Sequence, residues 1–211
     1  GDDLYEPGVT ITHGLGFNGG DHSFHIPLAI HAPGIDSASI PEQVRSIDIA
    51  PTLLDLLDIE SPAQWEGKSL AGWMRGNETR YDRPYYGETS FPFILFKVSG
   101  MERPKLPGME DLIRIEPEYN YNFVMKPEFE HPVAESKQRC LRTRNWKVVC
   151  TPASDGSRHF GLFRIADDPD SRNDLAQGMP QILAPLRAAL ERWIDRHEET
   201  PIAEIFPQGE P

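Results

Sequence analysis

The stretch that decides the fold runs from Gly1 to Pro33 and reads GDDLYEPGVTITHGLGFNGGDHSFHIPLAIHAP. It leads into a short apolar run, Ile26–Ile30, of the kind that forms a buried strand. Glycines crowd the middle of the stretch and favour an irregular loop over a helix there. A polar, glycine-rich loop that leads into a buried strand is a common place for the functional residues of α/β enzymes.

This loop holds four of the seven histidines together with four carboxylates. Imidazole and carboxylate groups are ligands for zinc, and carboxylates also bind calcium and magnesium. The alternative is that they are solvated loop residues with local hydrogen bonds, and the sequence leaves both open. His25 and His31 are expected to have structural roles, whereas His13 precedes a glycine that leaves room for a substrate or an ion. The eight residues are His13, His22, His25, His31, Asp2, Asp3, Glu6 and Asp21.

Composition narrows the classes of partner. The formal charge of -12 over 211 residues argues against binding to nucleic acid or an anionic membrane, because phosphates would be repelled. No apolar run approaches the roughly 18 residues that a membrane span requires. No signal peptide is visible, so localisation stays open, with the periplasm or the extracellular space favoured over the cytoplasm.

A helix is predicted after the first strand. Asp48 is a candidate N-cap, and Pro51 suits the first helical turn. The leucines beyond them predict a face buried against a sheet. Further on, Gly67-Lys68-Ser69 is similar to a phosphate-binding loop, but position 62 is proline where that motif needs glycine, so a structural role is favoured. The leucines are Leu53, Leu54, Leu56 and Leu57.

The C-terminal third predicts an antiparallel meander closed by a helix. Two strands, Gln138–Thr143 and Trp146–Cys150, flank a turn, and His159–Ile165 forms a third strand. Pro180–His197 has the apolar periodicity of an amphipathic helix, and Pro201–Pro211 is expected to be a tail.

Cys140 and Cys150 flank the first turn of this meander. They could form a cross-strand disulfide or be two small buried residues, and the second is preferred. The cationic side chains nearby could steer an anionic substrate, although such charges usually cover a solvated strand face. These cations are Arg139, Arg142, Arg144 and Lys147.

The predicted fold is α/β. It comprises part of a doubly wound mixed sheet with helices, plus a C-terminal antiparallel sheet subdomain closed by a helix. We expect an α/β core over 1–90, which includes a short strand at Tyr85–Thr89. A long ordered insertion occupies 91–132, either as a wall of a substrate pocket or as a surface wrap, and the antiparallel subdomain with its tail covers 133–211.

The motifs, taken in order, resemble the later half of the sulfatases in the alkaline phosphatase-like superfamily. Gly1–Glu6 resembles the residues directly after Asp-His in that family's metal motif. His13-Gly14 stands where a later His-Gly falls, and Asp21–Pro27 is similar to the segment before a strand. A rival register puts Thr12-His13-Gly14 on the metal motif itself. The first register is preferred because it explains the acidic run and the distance to His-Gly.

Further similar motifs extend over most of the chain except Phe91–Pro132. Asp48 with the leucine run, Gly67–Leu70, and Leu141-Arg142-Thr143 before Trp146-Lys147 all resemble sulfatase sequences. The nucleophile motif Cys/Ser-x-Pro-x-Arg is absent, and neither cysteine stands in such a sequence. An incomplete active site is therefore expected.

The resemblance implies the C-terminal portion of a hydrolase of sulfate or phosphate esters. Such an enzyme uses a divalent metal, calcium or, for a phosphoesterase, zinc or manganese, to polarise the ester and activate a Ser, Thr or formylglycine nucleophile. The metal ligands are expected just upstream of Gly1. His13 is the catalytic candidate that protonates the leaving alcohol or binds an ester oxygen, and His22 and Asp21 are the candidates for substrate binding.

The implied partners are an anionic ester and the N-terminal half of the α/β core. Two alternatives stay open, a phosphoethanolamine or other phosphodiester transferase of the same superfamily, and a non-catalytic remnant without the nucleophile. Sulfatases usually support their specificity with a lysine in the substrate loop, and none occurs between Gly1 and Glu66. Sulfate and phosphate therefore both stay open.

Overall fold

The computed structural model describes residues 16–17, 20–21, 24–89 and 100–211. The helices are α1 (Ile49–Leu56), α2 (Ala71–Met74), α3 (Met109–Leu112), α4 (Pro127–Glu135), α5 (Pro180–Arg196) and α6 (Ile202–Ile205). The strands are β1 (Tyr85–Glu88), β2 (Ile113–Glu116), β3 (Asn122–Met125), β4 (Arg139–Arg142), β5 (Trp146–Pro152) and β6 (Arg158–Arg164).

The main sheet has four antiparallel strands in the order β1-β4-β5-β6. The meander β4–β5–β6 confirms the predicted strands, because short turns join alternating apolar segments. Gly156, between β5 and β6, has φ +83, a backbone conformation that a residue with a Cβ rarely adopts. β1 joins the edge of the meander by pairing with β4, which confirms the short strand predicted at residues 85–89.

Both faces of this sheet are covered, and β5 is buried along all seven of its residues. Side chains of a strand alternate between faces, so one strand serves two apolar clusters. On the first face lie Tyr86, Leu141, Trp146, Val148, Cys150, Phe160 and Leu162, under α5 and α6. On the second face lie Cys140, Val149 and Phe163, covered by Phe17 with Phe24.

Helix α5 confirms the predicted amphipathic helix. It starts with Pro180 in the first helical turn and ends at Arg196, and the following His197 takes a left-handed conformation with φ 56. Its buried stripe of Leu186, Ala189 and Leu190 packs on the first face of the sheet. The helix therefore closes the subdomain as predicted.

Helix α1 forms where it was predicted, but its leucine face is not buried by the described residues. A 3₁₀ turn at Ser46–Asp48 leads into the helix. Leu53 is 48% exposed and Leu57 is 66% exposed. The prediction that this face packs against a sheet is wrong for the part of the chain that the structure describes, because α1 packs there mainly against the 3₁₀ turn and α2.

The buried strand predicted at Ile26–Ile30 is also wrong within the described residues. This segment has no regular secondary structure and belongs to neither sheet, and Ile26 is 54% exposed. A buried strand needs neighbours that take up its backbone hydrogen bonds, and the described strands pair elsewhere. The doubly wound mixed sheet is accordingly not seen in the described ranges, where the main sheet is antiparallel.

The described part of the predicted insertion has regular structure. It holds α3, the two-stranded ribbon β2–β3 and most of α4, which continues past residue 132. Ile115 and Phe123 face each other across the ribbon and are both exposed.

The C-terminal residues are not a loose tail. Helix α6 buries Ile205 on the first face of the sheet. Glu210 accepts hydrogen bonds from Thr143 and from the backbone of Asn145, and the Trp146 indole donates to the carbonyl of Pro211 at 2.8 Å. The prediction of a tail is wrong because these polar contacts join sites more than 60 residues apart.

Cys140 and Cys150 are buried thiols rather than a disulfide. Cys140 belongs to the second face of the sheet and Cys150 to the first, so their side chains point to opposite sides. The preferred prediction of two small buried residues is confirmed.

Candidate functional site

The described part of the glycine-rich loop lies on the second face of the main sheet. Phe17 is only 1% exposed and fills the apolar cluster of that face. Its ring centroid lies 4.7 Å from that of Phe24. These two rings give the loop an apolar attachment to the sheet, opposite α5.

A chain of hydrogen bonds fixes the loop backbone beside Phe17. The Phe17 amide donates to Oε1 of Gln138 at 2.6 Å, and Nε2 of Gln138 donates to Oγ1 of Thr151 at 2.9 Å. Gln138 and Thr151 are buried, so each bond satisfies groups that water cannot reach. The loop is thus held through its backbone as well as through its aromatic rings.

Asp21 makes the charged attachment of the loop. Its Oδ2 accepts a hydrogen bond from Nε of Arg142 at 2.7 Å, and its Oδ1 lies 3.1 Å from Nζ of Lys147. Lys147 is 1% exposed, and its ammonium also lies 3.4 Å from the carbonyl of Gly20. One loop carboxylate therefore meets two cations of the sheet.

The local field decides the charge state of Asp21. Burial alone would raise its pKa, but Lys147 and Arg142 outweigh that effect and hold the pKa below its ordinary value. Tyr85 stands next to the same group, and burial, with Cys140 and Asp21 nearby, raises the pKa of its phenol. The site therefore keeps an ionised carboxylate beside a neutral phenol at neutral pH.

The backbone of Asp21 starts a turn that leads into His25. The carbonyl of Asp21 accepts hydrogen bonds from the amides of Phe24 at 2.9 Å and His25 at 2.7 Å. The His25 side chain is exposed, as is that of His31, so both are surface residues.

The structure brings Asp21 together with cations of the sheet. The catalytic candidate His13 and the substrate-binding candidate His22 lie outside the described residues, as do Asp2, Asp3 and Glu6. Their roles stay predictions. In sequence, His22 directly follows the anchored Asp21.

Sequence reasoning missed the pairing of the loop with Arg142 and Lys147, which it favoured as solvated charges. The signal was present in β5, where one lysine interrupts the run Trp146–Cys150 of otherwise apolar residues. A lysine within such a run is buried with its neighbours and needs an anionic partner. Its partner lies more than 120 residues away in the chain, so local patterns could not name it.

A second polar centre surrounds the fully buried Asp48. Its Oδ1 lies 3.0 Å from Nη2 of Arg45 and 3.2 Å from Nη1 of Arg83, and accepts the Lys68 amide at 2.8 Å. Arg45 also pairs with Glu199 at 2.5 Å. This centre connects the start of α1 to the end of the chain.

The predicted N-cap bond of Asp48 is not made, because its carboxylate bonds to the arginines and to the Lys68 amide instead. Gly67 packs so closely that an added Cβ would lie 2.0 Å from the Ile47 carbonyl oxygen. The structural role favoured for Gly67-Lys68-Ser69 agrees with this packing.

The described ranges contain neither a cluster of metal-binding side chains nor a membrane-spanning helix. There, no three His, Cys, Asp or Glu side chains come together as a group that could hold a metal ion. Likewise, no helix in that part of the chain is long and apolar enough to cross a membrane.

The comparisons with known proteins agree with the order of motifs. The family model of the C-terminal region of N-sulphoglucosamine sulphohydrolase matches residues 20–94. Mouse arylsulfatase K is 27% identical over 174 residues, which cover 82% of this chain and 25% of that protein. Human arylsulfatase K is 26% identical over 175 residues, covering 82% and 26% respectively.

Two solved structures show weaker likeness. A 2-O GAG sulfatase has a TM-score of 0.48 at 22% identity and covers 78% of this chain and 28% of that chain. The phosphonate monoester hydrolase from Silicibacter pomeroyi has a TM-score of 0.46 at 22% identity, covering 79% and 27%. At these scores neither likeness adds to the assignment.

The chain is therefore similar to the C-terminal region of sulfatases, through the matched residues 20–94 and through its likeness to arylsulfatase K. It spans about a quarter of the length of the curated relatives it matches.

Proposed function

We propose that the chain is the C-terminal part of a metal-dependent hydrolase of sulfate esters. The observation that carries this proposal is the match of residues 20–94 to a sulphohydrolase family, since it starts inside the anchored loop. The loop's attachment to the sheet supports it, because residues that act on a substrate must be held in place.

In the proposed reaction a nucleophile outside this chain attacks the sulfur atom while the bond from sulfur to the alcohol oxygen breaks. His13 donates its proton to that leaving oxygen, or a hydrogen bond to an ester oxygen on which negative charge develops. His22 binds the ester oxygens. Asp21 supports the pocket from the sheet side through its contacts with Arg142 and Lys147.

The resemblance to sulfatases implies a divalent cation. This cation would be calcium, or zinc or manganese if the enzyme acts on phosphate esters. Such an ion would polarise the ester when bound. The described residues bring no donor set together, so we assign no step of the reaction to an ion held by them. Its ligands belong, in this proposal, to the polypeptide just upstream of Gly1 and to the remainder of the core.

The N-terminal part of the α/β core is the proposed partner of α1. Leu53 and Leu57 form an apolar face that the described residues leave uncovered, with Ile47 and Trp65 exposed nearby. The curated relatives are about four times as long as the matched region, so they contain enough additional chain to cover this face. Burial of such residues favours association at about 25 cal/mol per Å² of apolar surface.

The proposed activity is tested in the longer protein that contains this chain. We expect His13→Ala to lower kcat for an aryl sulfate about 10²–10⁴-fold, the usual contribution of a general acid. His31→Ala is the matched control, because His31 is an exposed histidine of the same region, and it should keep the wild-type rate. Full turnover by His13→Ala would refute the catalytic role of His13.

Phosphate is the second candidate substrate class, favoured by the absence of lysine between Gly1 and Glu66. The same enzyme is assayed with an aryl phosphate and a phosphodiester, so the released anion identifies the reaction. A purified protein that turns over none of the three esters with calcium, zinc or manganese present would support the non-catalytic alternative. The 211-residue chain alone is expected to turn over no ester and to bind divalent metal weakly.

A further inference from the structure

We infer that Asp21, Arg142 and Lys147 form a buried latch, here the Asp21 latch, that positions the histidine-bearing loop on the sheet. The three residues act as positioning groups rather than as contacts to the substrate. The catalytic consequence rests on the proposed function, whereas the attachment of the loop does not.

The two neighbouring cations of the latch, Arg142 and Lys147, are stabilised by the carboxylate of Asp21. Arg142 of β4 and Lys147 of β5 are direct partners in the sheet register. Like charges directly opposite each other destabilise a pair of strands, and they do so more strongly where water is excluded. Asp21 lies between them and gives one oxygen to each, Oδ2 to Arg142 and Oδ1 to Lys147. Docking of Asp21 therefore brings a negative charge to both cations.

Burial makes the latch specific. The side chains of Arg142 and Asp21 are 17% and 18% exposed, and that of Lys147 is 1% exposed. Removing one partner of such a pair leaves a charge in a poorly solvated place, which costs far more than the loss of a surface ion pair. Asp21 therefore has one strongly preferred position on this face of the sheet.

The latch fixes backbone as well as side chain. The carbonyl of Asp21 accepts hydrogen bonds from the amides of Phe24 and His25. Asp21 therefore makes both the ion pairs with the sheet and the backbone hydrogen bonds of this turn. The rings of Phe17 and Phe24 anchor the loop on both sides of Asp21 in sequence. His22 follows Asp21 directly, and an error of about 1 Å in the position of a functional group can cost about 100-fold in rate.

Hydrogen exchange of the 211-residue chain tests the attachment. We expect Lys147→Met and Asp21→Asn each to raise the exchange rates of the Phe24 and His25 amides by about tenfold or more, because breaking a buried pair frees the turn. Amides in the pairing of β5 with β6 should stay within about twofold of wild type. Lys147→Arg, which keeps the charge, should restore most of the protection.

The matched control is Lys137→Met, which removes a more exposed lysine, also ion-paired, from a position just before β4. Lys137 pairs with Glu88 at 2.6 Å and lies outside the latch. The double variant Asp21→Asn/Lys147→Met should exchange no faster than the faster single variant, since both singles break the same pair. Loop amides that exchange in Asp21→Asn as they do in Lys137→Met would overturn the latch, whatever Lys147→Met does to folding.

Kinetics of the longer protein test the consequence for catalysis. Lys147→Met should lower kcat by about tenfold or more with a smaller change in KM, because misplacing a reacting group affects the transition state more than binding. Lys147→Arg should recover most of the rate. Unchanged kcat with faster loop exchange would overturn the positioning role, whereas inactivity of the wild-type enzyme would contradict the proposed function and leave the exchange result intact.

Discussion

Asp48 illustrates how a single buried carboxylate can hold distant parts of a chain together. It contacts two arginines and a backbone amide around the start of α1, and one of those arginines reaches Glu199 near the C-terminus. From the sequence, the position before a helical pattern identifies Asp48 as an N-cap. The actual partners are known only once the chain is folded, since Arg83 lies 35 residues further on.

Replacing Asp48 should strongly destabilise the chain. We expect Asp48→Asn to lower the free energy of unfolding by about 3–5 kcal/mol, because Arg45 and Arg83 would keep buried charges without this carboxylate. Asp55→Asn is the control, since the Asp55–Arg75 pair is well exposed and should contribute about 0–1 kcal/mol. Urea denaturation measures both values. Equal effects of the two substitutions would contradict the central role of Asp48.

The lowered pKa of Asp21 predicts a pH dependence of stability. Its ordinary value is 3.8, and the value in the folded chain is lower. The ionised group therefore contributes stability above about pH 4, and this contribution is lost as the pH falls through the folded pKa. The difference in unfolding free energy between wild type and Asp21→Asn should be largest near neutral pH and smaller at pH 2–3.

Denaturant titrations across this pH range measure the difference. Glu198→Gln removes a charge from an exposed position and should follow the wild-type curve. If wild type and Asp21→Asn differ in unfolding free energy by the same amount at pH 7 and at pH 2, then ionisation of Asp21 does not stabilise the folded chain.

At the scale of helices and strands, local sequence patterns correctly predicted the elements whose partners are near in sequence. The strands β4, β5 and β6 and helix α5 follow from alternation, turn residues and apolar periodicity. Helix α1 was also predicted, but the cover of its leucine face was not found among the described residues. Ile26–Ile30 was predicted as a strand because its composition fits one, whereas pairing depends on neighbours that composition does not identify.

The exposed face of α1 yields a prediction for that element. The double substitution Leu53→Asp/Leu57→Asp should change the unfolding free energy of the 211-residue chain by less than about 1 kcal/mol, because both side chains are already exposed. In the longer protein the same change should lower the melting temperature or prevent assembly, since charges would then enter a buried interface.

Thermal unfolding of the two proteins side by side measures this contrast. Leu190→Ala is the positive control, because Leu190 is fully buried in the chain itself and should cost about 2–5 kcal/mol in both proteins. If the longer protein tolerates the two aspartates as well as the 211-residue chain does, then α1 has no apolar partner in the longer protein.

For the whole molecule, the order of motifs indicated a resemblance to sulfatases where no single motif sufficed, and the comparisons agree with that resemblance. The candidate site was less accessible to prediction. Its histidines were chosen by residue type and by resemblance, whereas the groups that hold Phe17 and Asp21, namely Arg142, Lys147 and Gln138, lie more than 115 residues further along the chain. Contacts between such distant residues have no local signature, and so the support of the site emerged only from the fold.

The placement of this loop has a consequence for biosynthesis. Phe17 is made well before the strands that receive it, which are complete only after Arg164 has been added. At about 5–20 residues per second, the ribosome needs roughly 7–30 s to make the intervening polypeptide. During that interval the aromatic residues of the nascent segment have no native surface to cover them. A chaperone that binds emerging apolar segments would therefore hold this one during that interval and release it once strand β6 has left the exit tunnel.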